Sequence, residues 1–354
     1  MKVLLLTRYG PQGASSRLRS FQFLPELRVT GVECLVSPLF DDELLKKKYE
    51  RGSYSAGGVL TAYWRRILVL LKRDGFDLLW VEKEALPWLP TWLERLLLRG
   101  VPYVLDFDDA IFHNYDLHRF ALVRNIYGKR IDDLMARARI VVAGNQYLAA
   151  RAIAAGASQV EVVPTVVDIT RYLPKQEYAA VAKLRVVWIG SPSTVQYLKQ
   201  LQNPLRELSM RLPFVLRVIG GGAFSIPGIE TEVVDWSVHT EAKAVAECDV
   251  GIMPLRDSPW EQGKCAYKLI QYMACGLPTV SSPIGANRDV VIEGTTGFFA
   301  DTPEVWVERL ESLLRNAELR QCLGTAGRAR VENEYSLTHI APKLIDLLVK
   351  AGSR

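Results

Sequence analysis

No apolar run in this sequence approaches the ~18 residues needed to cross a bilayer, and no internal repeat or low-complexity tract occurs. A membrane-spanning protein, a solenoid and a disordered tail are therefore not expected. Cysteine is sparse: five residues, at positions 34, 248, 265, 275 and 322, odd in number and without a C-x-x-C pair. Neither a disulfide framework nor a zinc site fits that pattern. Val3-Leu4-Leu5-Leu6 is too short for a signal-peptide core and lacks a small-residue cleavage site, so it reads as the first buried strand of a cytoplasmic protein. The net charge is only +5. Without an aromatic-basic motif, that excess is too weak for a groove tracking nucleic acid.

What is present is a long globular chain. Its 354 residues, 49% hydrophobic and 23% charged, exceed one comfortable core and suit two domains. Short β-branched apolar runs alternate with helical periodicity, which predicts parallel sheets covered on both faces. Strands are expected at 2–7, 32–37, 78–82, 103–107, 140–143 and 160–163, and again at 184–189, 215–219, 232–234, 250–253, 279–282 and 297–299. Helices are expected between them, at about 17–27, 60–74, 90–99, 119–138 and 147–156, then 194–211, 240–248, 267–275, 303–315 and 319–335. A polar stretch over 170–183, carrying Pro174, reads as a linker. The expected architecture is α/β: two doubly wound domains, 1–171 and 172–337, with a last helix within 338–354 packing back on the first. Ligands of such sheets bind beyond the carboxyl ends of the strands. Residues that follow strands are thus the candidates, around a cleft if the two domains face each other.

The charge is unevenly placed. Residues 1–171 hold 24 Lys+Arg against 19 Asp+Glu, and the remainder 20 of each. The first half also carries Lys46-Lys47-Lys48, Arg51, and two segments mixing Trp, Leu and Arg, at 64–73 and 88–99. Basic residues flanking Trp-bearing amphipathic helices suit an anionic membrane surface. Helices packed on a sheet, with snorkelling Arg and Lys, fit the same pattern.

Several stretches beyond expected strands carry chemistry. Lys264-Cys-Ala-Tyr-Lys-Leu-Ile-Gln-Tyr-Met-Ala-Cys-Gly276 places Lys264 and Lys268 four apart, on one face at the start of a helix. The free N–H groups of a first turn favour an anion, so the pair reads as a diphosphate site; two surface lysines on a solvated helix share the spacing. Gly10-Pro-Gln-Gly13-Ala-Ser15-Ser16-Arg17-Leu-Arg19 can aim N–H groups, with Gly13 and Arg17, at a phosphate, or be an ordinary serine-capped turn. Asp106-Phe-Asp108-Asp109-Ala-Ile-Phe-His113 clusters three carboxylates, able to take a proton, hold a sugar hydroxyl, bind a cation or cap a helix; Asp-x-Asp alone points only weakly to a metal, and none is assigned. Glu82 and Glu84 are similarly placed. In the second half Gly190-Ser191-Pro-Ser193-Thr194 makes a phosphate-facing turn, and Gly220-Gly221-Gly222 permits close backbone approach without being a dinucleotide fingerprint. Gln271, on the lysine helix, can reach a ribose hydroxyl.

With these residues the chain resembles the family 4 glycosyltransferases, retaining enzymes with the two-Rossmann GT-B architecture. The matching motifs are Met273-Ala-Cys-Gly-Leu-Pro-Thr-Val280, Val162-Val-Pro-Thr-Val-Val-Asp168, Asp249-Val-Gly-Ile-Met-Pro254, Gly294-Thr-Thr-Gly-Phe298 and Leu319-Arg-Gln-Cys-Leu-Gly-Thr-Ala-Gly327-Arg328. Gly13-Ala-Ser-Ser-Arg-Leu-Arg19 and Asp106-Phe-Asp-Asp109 match a subgroup. The resemblance implies a hexosyltransferase-type enzyme that uses a UDP- or GDP-linked sugar as substrate, without a resident cofactor. It further implies a saccharide or lipid-linked acceptor, in lipopolysaccharide, capsule or exopolysaccharide synthesis at the inner membrane face. The family's paired glutamates would fall on Gly263 and Gln271, leaving Glu261 or the 264–267 backbone to meet the donor sugar. Its Gly-Arg turn is replaced by Gly190-Ser-Pro-Ser, which hands the phosphate charge to Lys264, Lys268 and Arg17. Asp108 or Asp109 would position the acceptor hydroxyl, with His113 as a fallback. A nucleotide-sugar epimerase or phosphorylase, and a non-catalytic donor-binding protein, stay open beside the transferase.

Overall fold

The computed structural model describes residues 1–179 and 183–353, with 49–51 as backbone only. Two parallel sheets form. Strands β1 (Lys2–Tyr9), β2 (Glu33–Phe40), β3 (Leu78–Glu82), β4 (Tyr103–Phe107), β5 (Ile140–Ala143) and β6 (Val160–Val162) lie in the order β2-β1-β3-β4-β5-β6. Strands β7 (Leu184–Ile189), β8 (Phe214–Ile219), β9 (Glu230–Val234), β10 (Val250–Met253), β11 (Thr279–Ser281) and β12 (Gly297–Phe299) lie in the order β12-β11-β10-β7-β8-β9. All twelve coincide with expected strands. The central ones, such as Leu78–Glu82 and Phe214–Ile219, are buried at every residue, which is why they read as unbroken apolar runs.

The chain divides into two compact units: Met1–Thr165 with Gly263–Cys265 and the residues from Ile340 onward, and Val166–Gln262 with Ala266–His339. The first division falls before 171 because Val167 already bridges Ser336 of the second unit. Of the linker expected at 170–183, residues 180–182 lie outside the described residues, as does the side chain of Arg51. The described part is anchored rather than loose: Lys175 N donates to Cys275 O at 2.9 Å, and Tyr178 Oη to Gly276 O at 2.7 Å.

Several helices are shorter than periodicity alone indicates. The helix expected at 17–27 breaks into Ala14–Arg19, a 3-10 turn and Leu24–Val29, with Pro25 seated at the start of the last piece, where it needs no N–H partner. The one expected at 119–138 breaks at Gly128, whose close approach to Arg124 O leaves no room for a Cβ. A helix at Asp42–Arg51 was not expected; Asp41 caps it by accepting from Leu44 N at 3.0 Å, and Gly52 ends it in the left-handed region.

Each sheet reverses its winding once. In the first unit the reversal lies between β1 and β3, in the second between β7 and β10, so the loops after those strands diverge and leave a crevice. In the second unit Tyr272 ties that point together. Its hydroxyl accepts from Ile189 N at 3.0 Å and lies 3.3 Å from Ile252 O, while Gly251 gives the ring its space. The buried helix Tyr267–Ala274 that carries Tyr272 packs on Ala317–Glu334 at Gly324, where a Cβ would stand 2.0 Å from Gly276 O. Gly324→Ala should therefore destabilise the protein by about 1–3 kcal/mol. Gly57→Ala, in an exposed helix with open space around it, should stabilise it by about 0.5 kcal/mol. Urea-unfolding midpoints of the two variants test this; equal midpoints would refute the packing account.

Candidate functional site

In the first unit the crevice between β1 and β3 collects charge. Asp106, on β4, is buried and meets Arg19 Nε at 2.8 Å, while Arg19 Nη1 donates to Val163 O at 2.7 Å. Burial pushes the Asp106 carboxyl up to about 6 against the pull of Arg19. One residue beyond β4, Asp108 accepts from Ser15 Oγ at 2.6 Å and pairs with Lys83 Nζ at 2.8 Å. Ser15 Oγ also accepts from Lys83 at 2.9 Å and lies 2.9 Å from Glu82 Oε1, so two carboxylates share one hydroxyl proton. Burial opposes ionisation of Asp108, but the Lys83 ammonium and the bonds from Lys83 and Ser15 hold its carboxyl below the usual range.

Asp109 behaves oppositely. Burial raises its carboxyl; Lys83 at 4.0 Å opposes this, Asp108 reinforces it, and Lys264 at 3.9 Å opposes it again. Its side chain keeps a third of its surface open. Of the three aspartates, Asp109 is therefore the one suited to take a proton from a ligand. His113 is not: its Nδ1 meets Asp116 and its Nε2 meets Tyr147 Oη, both at 2.8 Å. Both ring nitrogens are occupied.

Lys83 organises this cluster, and sequence reasoning passed over it between Glu82 and Glu84. It is a buried lysine with φ +65, outside the backbone region that L residues favour, and such strain persists where the surroundings impose it. The signal available was a charged triplet directly after an apolar strand.

The expectation that Lys264 and Lys268 share one helical face is corrected. The helix starts at Tyr267, after Ala266 in the left-handed conformation with φ +52, so helical spacing does not extend back to Lys264. Gly263–Cys265 instead belongs to the first unit. Asn145 Nδ2 donates to Lys264 O at 3.0 Å, and Cys265 Sγ lies 3.2 Å from Asp108 O. A Cβ on Gly263 would stand 2.5 Å from Ala110 Cβ and 2.7 Å from its N. The carboxylate that the family resemblance implies at this position has no space in this chain.

In the second unit the turns after β7 and β8 touch. A Cβ on Gly220, at φ +72, would meet Gly190 O at 2.4 Å, and one on Gly190 would meet the Trp188 ring. Gly221 packs on Val218, and Gly222, at φ +71, is exposed. Ser191 N donates to Thr194 Oγ1 at 3.0 Å, which shapes the turn. Lys268 stands 4.5 Å over the Trp188 ring, a cation–π contact that sets its ammonium beside the same turn. Glu261 is buried and accepts from Tyr197 Oη and Ser258 Oγ. Gln271 is buried as well, its amide nitrogen donating to Tyr172 Oη at 2.8 Å, which engages the group expected to meet a ribose. Gly13 and Arg17 lie in the first unit. Gly13 gives way to the Tyr9 side chain, and Arg17 Nη1 lies 3.4 Å from Pro11 O. The structure thus gathers Asp108, Asp109 and Lys264 in one unit, and Gly190, Ser191, Gly221, Gly222 and Lys268 in the other.

Replacing Lys83 tests the first cluster. Lys83→Met removes the ion-pair partner of Asp108 and leaves Asp109 with Lys264 alone, and should cost about 3–5 kcal/mol near neutral pH. Asp108 is depressed, so its contribution is fully present above the ordinary value of 3.8 and is lost as pH falls through the lower folded value. The deficit of the variant should accordingly shrink on acidification. A deficit independent of pH, measured by denaturant titration, would assign Lys83 a packing role alone.

Residues 183–316 match the family described as Glycosyl transferases group 1. The chain is 32% identical over 81 residues to spore coat protein SA of Bacillus subtilis (strain 168), 22% of each chain. Over 69 residues it is 32% identical to the capsular polysaccharide biosynthesis glycosyltransferase CapM of Staphylococcus aureus, 19% of this chain and 18% of that one. It spans about a fifth of the length of these curated relatives. Among solved structures, Anabaena HepE in complex with UDP and glucose superposes with a TM-score of 0.71 at 14% identity, over 99% of this chain and 100% of that one. Sucrose-phosphate synthase from Thermosynechococcus elongatus gives 0.70 at 14%, over 99% and 98%. Two six-stranded parallel sheets with this correspondence make the GT-B fold, within which residues 183–316 match the group 1 glycosyl transferase family.

Proposed function

We propose that the protein is a retaining, family 4 glycosyltransferase that moves a hexose from a nucleotide-diphosphate donor to a saccharide acceptor. The observation that carries this is the match of residues 183–316 to the group 1 family, because that region includes the Gly190 turn and Lys268 at the winding reversal of the second sheet. The donor diphosphate lies at the Gly190–Ser191 turn beside Lys268, and Gly221 and Gly222 let the nucleotide approach the backbone. Negative charge grows on the diphosphate as the glycosidic bond breaks. Lys268, held over Trp188, is placed to meet that charge without reorganising.

The acceptor is assigned to the first unit. Asp109, with its raised proton affinity, receives or orients the attacking hydroxyl. Asp108, locked by Lys83 and Ser15, stays ionised and keeps the cluster in shape. The absence of a resident cofactor remains part of the same reading. So do a lipid-linked acceptor, a role in surface polysaccharide synthesis and a cytoplasmic location at the inner membrane face. The capsular polysaccharide role named for CapM and the UDP bound by HepE support it. Among the described residues no helix is long and apolar enough to cross a membrane.

Thermal-shift measurements with UDP-, GDP- and CDP-sugars should pick out one nucleotide class. Lys268→Ala should then weaken donor binding by roughly tenfold or more and lower turnover by about 100-fold. Asp109→Asn should lower transfer by about 100-fold or more while leaving donor affinity in place. Donor binding without diphosphate release over a broad acceptor panel would instead favour a non-catalytic donor-binding protein.

A further inference from the structure

Beyond β3 the chain stays buried through Lys83-Glu84-Ala85-Leu86-Pro87 and first reaches water at Trp88, which keeps 45% of its surface open. The loop that delivers it is tied down at most of its polar groups. Glu94 accepts from Ala85 N at 2.6 Å, and Arg66 donates to Ala85 O at 3.2 Å. Arg130 donates to Leu86 O at 2.7 Å and also to Leu89 O. Tyr63 Oη donates to Pro87 O at 2.7 Å, and Tyr115 Oη accepts from Trp88 N at 3.2 Å while meeting Glu84 at 2.8 Å. Glu84, Glu94, Arg66, Arg130 and Tyr115 are all buried. Burying such charges costs desolvation, and a core alone would be served as well by apolar residues.

Trp88 itself has φ +62, a conformation that glycine takes freely and that another residue keeps only where its surroundings impose it. A half-exposed indole adds little to the core, so packing does not account for a tryptophan in that conformation. The ring rests against Tyr115, with centroids 4.8 Å apart, and His118 and Tyr127 stand edge-on to it at 5.9 and 6.3 Å. His118 Nδ1 accepts from Phe120 N at 3.2 Å, which leaves Nε2 as a donor. An open aromatic face bordered by hydrogen-bonding groups matches a pyranose. One face of such a sugar is a patch of C–H bonds, attracted to the negative face of an aromatic ring, and its rim is hydroxyl. The backbone from Lys83 to Trp88 spans at most about 17 Å, and Lys83 Nζ lies 4.0 Å from Asp109. A saccharide of a few rings covers that distance.

We propose that Trp88 is a specificity-determining platform for the acceptor, its indole stacked on a pyranose ring of the saccharide whose attacking hydroxyl meets Asp109. The inference rests on the reading of the first unit as the acceptor side of a transferase. It adds the class of acceptor: a saccharide carrying a pyranose with a continuous C–H face. The position fits. Trp88 follows β3 at the carboxyl end of the sheet, the end at which Asp108 and Asp109 follow β4, and ligands of open sheets bind there. A cation is not the occupant, since the Arg130 guanidinium already stands 5.9 Å from the Tyr115 ring that supports the indole. A ring held in place beforehand loses little freedom when a weakly binding sugar arrives, which gives the buried charges around the loop their purpose.

Indole N–H resonances of the full chain, labelled at tryptophan, test the assignment. The chain has 8 tryptophans, and the resonance missing from Trp88→Phe identifies position 88. Methyl β-D-glucopyranoside, methyl β-D-galactopyranoside and methyl α-D-mannopyranoside are titrated into the wild type without nucleotide. At least one should move that resonance and receive saturation transfer at the C–H protons of one face. Sorbitol, which has the hydroxyls but no rigid C–H face, should leave it in place. Trp88→Ala and Trp88→Gly should weaken the binding about tenfold, and Trp88→Phe about threefold at most. The glycine variant relieves the backbone as it removes the ring, so a loss of binding remains measurable if the alanine variant does not fold. No movement with any of the three glycosides, equal movement with sorbitol, movement confined to other indoles, or unaltered affinity in the glycine variant overturns the proposal. Donor binding is read separately by thermal shift. A wild type that binds a nucleotide sugar but no pyranoside refutes the platform alone; one that binds a pyranoside at Trp88 but no nucleotide sugar refutes the transferase reading and leaves a saccharide platform.

Discussion

Three carboxylates are packed into the end of one strand, and they can stay there only because three cations arrive from elsewhere in the chain. Asp106, Asp108 and Asp109 are met by Arg19 from the first helix, Lys83 from the loop after β3, and Lys264 from a segment more than 150 positions away in sequence. Each cation compensates a desolvation that no single one could offset. The arrangement divides proton affinity unequally: Asp108 is kept ionised while Asp109 is left more basic. A common environment has thus produced two carboxylates with different chemistry, one structural and one able to react.

In the proposed reading the second unit has a different task, holding loops still around a donor that brings its own charge. Its helix Tyr267–Ala274 is buried from Leu269 onward, and Tyr272 joins β7 to β10 at the point where the winding reverses. The glycines at 190, 220 and 221 fit backbone against backbone and against Trp188. That rigidity fixes Lys268, whose long flexible stem would otherwise carry a large rotamer entropy into binding.

The central strands were legible because strands buried on both faces must be apolar along their length, and that signal is local; the edge strands Glu33–Phe40 and Glu230–Val234 are only partly buried. Helix limits were less so: Gly128 ends a helix where periodicity alone ran on, and the helix that Asp41 caps, carrying the lysine run at 46–48, was not expected. In the candidate sites, the aspartates after β4 were visible from their placement. The lysine pair was misread because the left-handed turn at Ala266 has no signature in an alanine. Lys83 was missed since its importance lies in partners on three other segments, and the room denied to a side chain at 263 is a fact about Ala110. Contacts between distant segments were the part that one-dimensional pattern could not supply.

Strand β4 has one more implication. Tyr103 begins the strand, its carbonyl accepting from Arg139 N, while Asp106 and the residues just past Phe107 build the acid cluster. Five residues of extended chain, about 17 Å, separate them, with an unbroken apolar interior between. Such a strut transmits position but little polarity. Substitutions at one tip can therefore alter the surface there without disturbing the charges at the other, and the two ends are free to diverge independently among descendants of this chain.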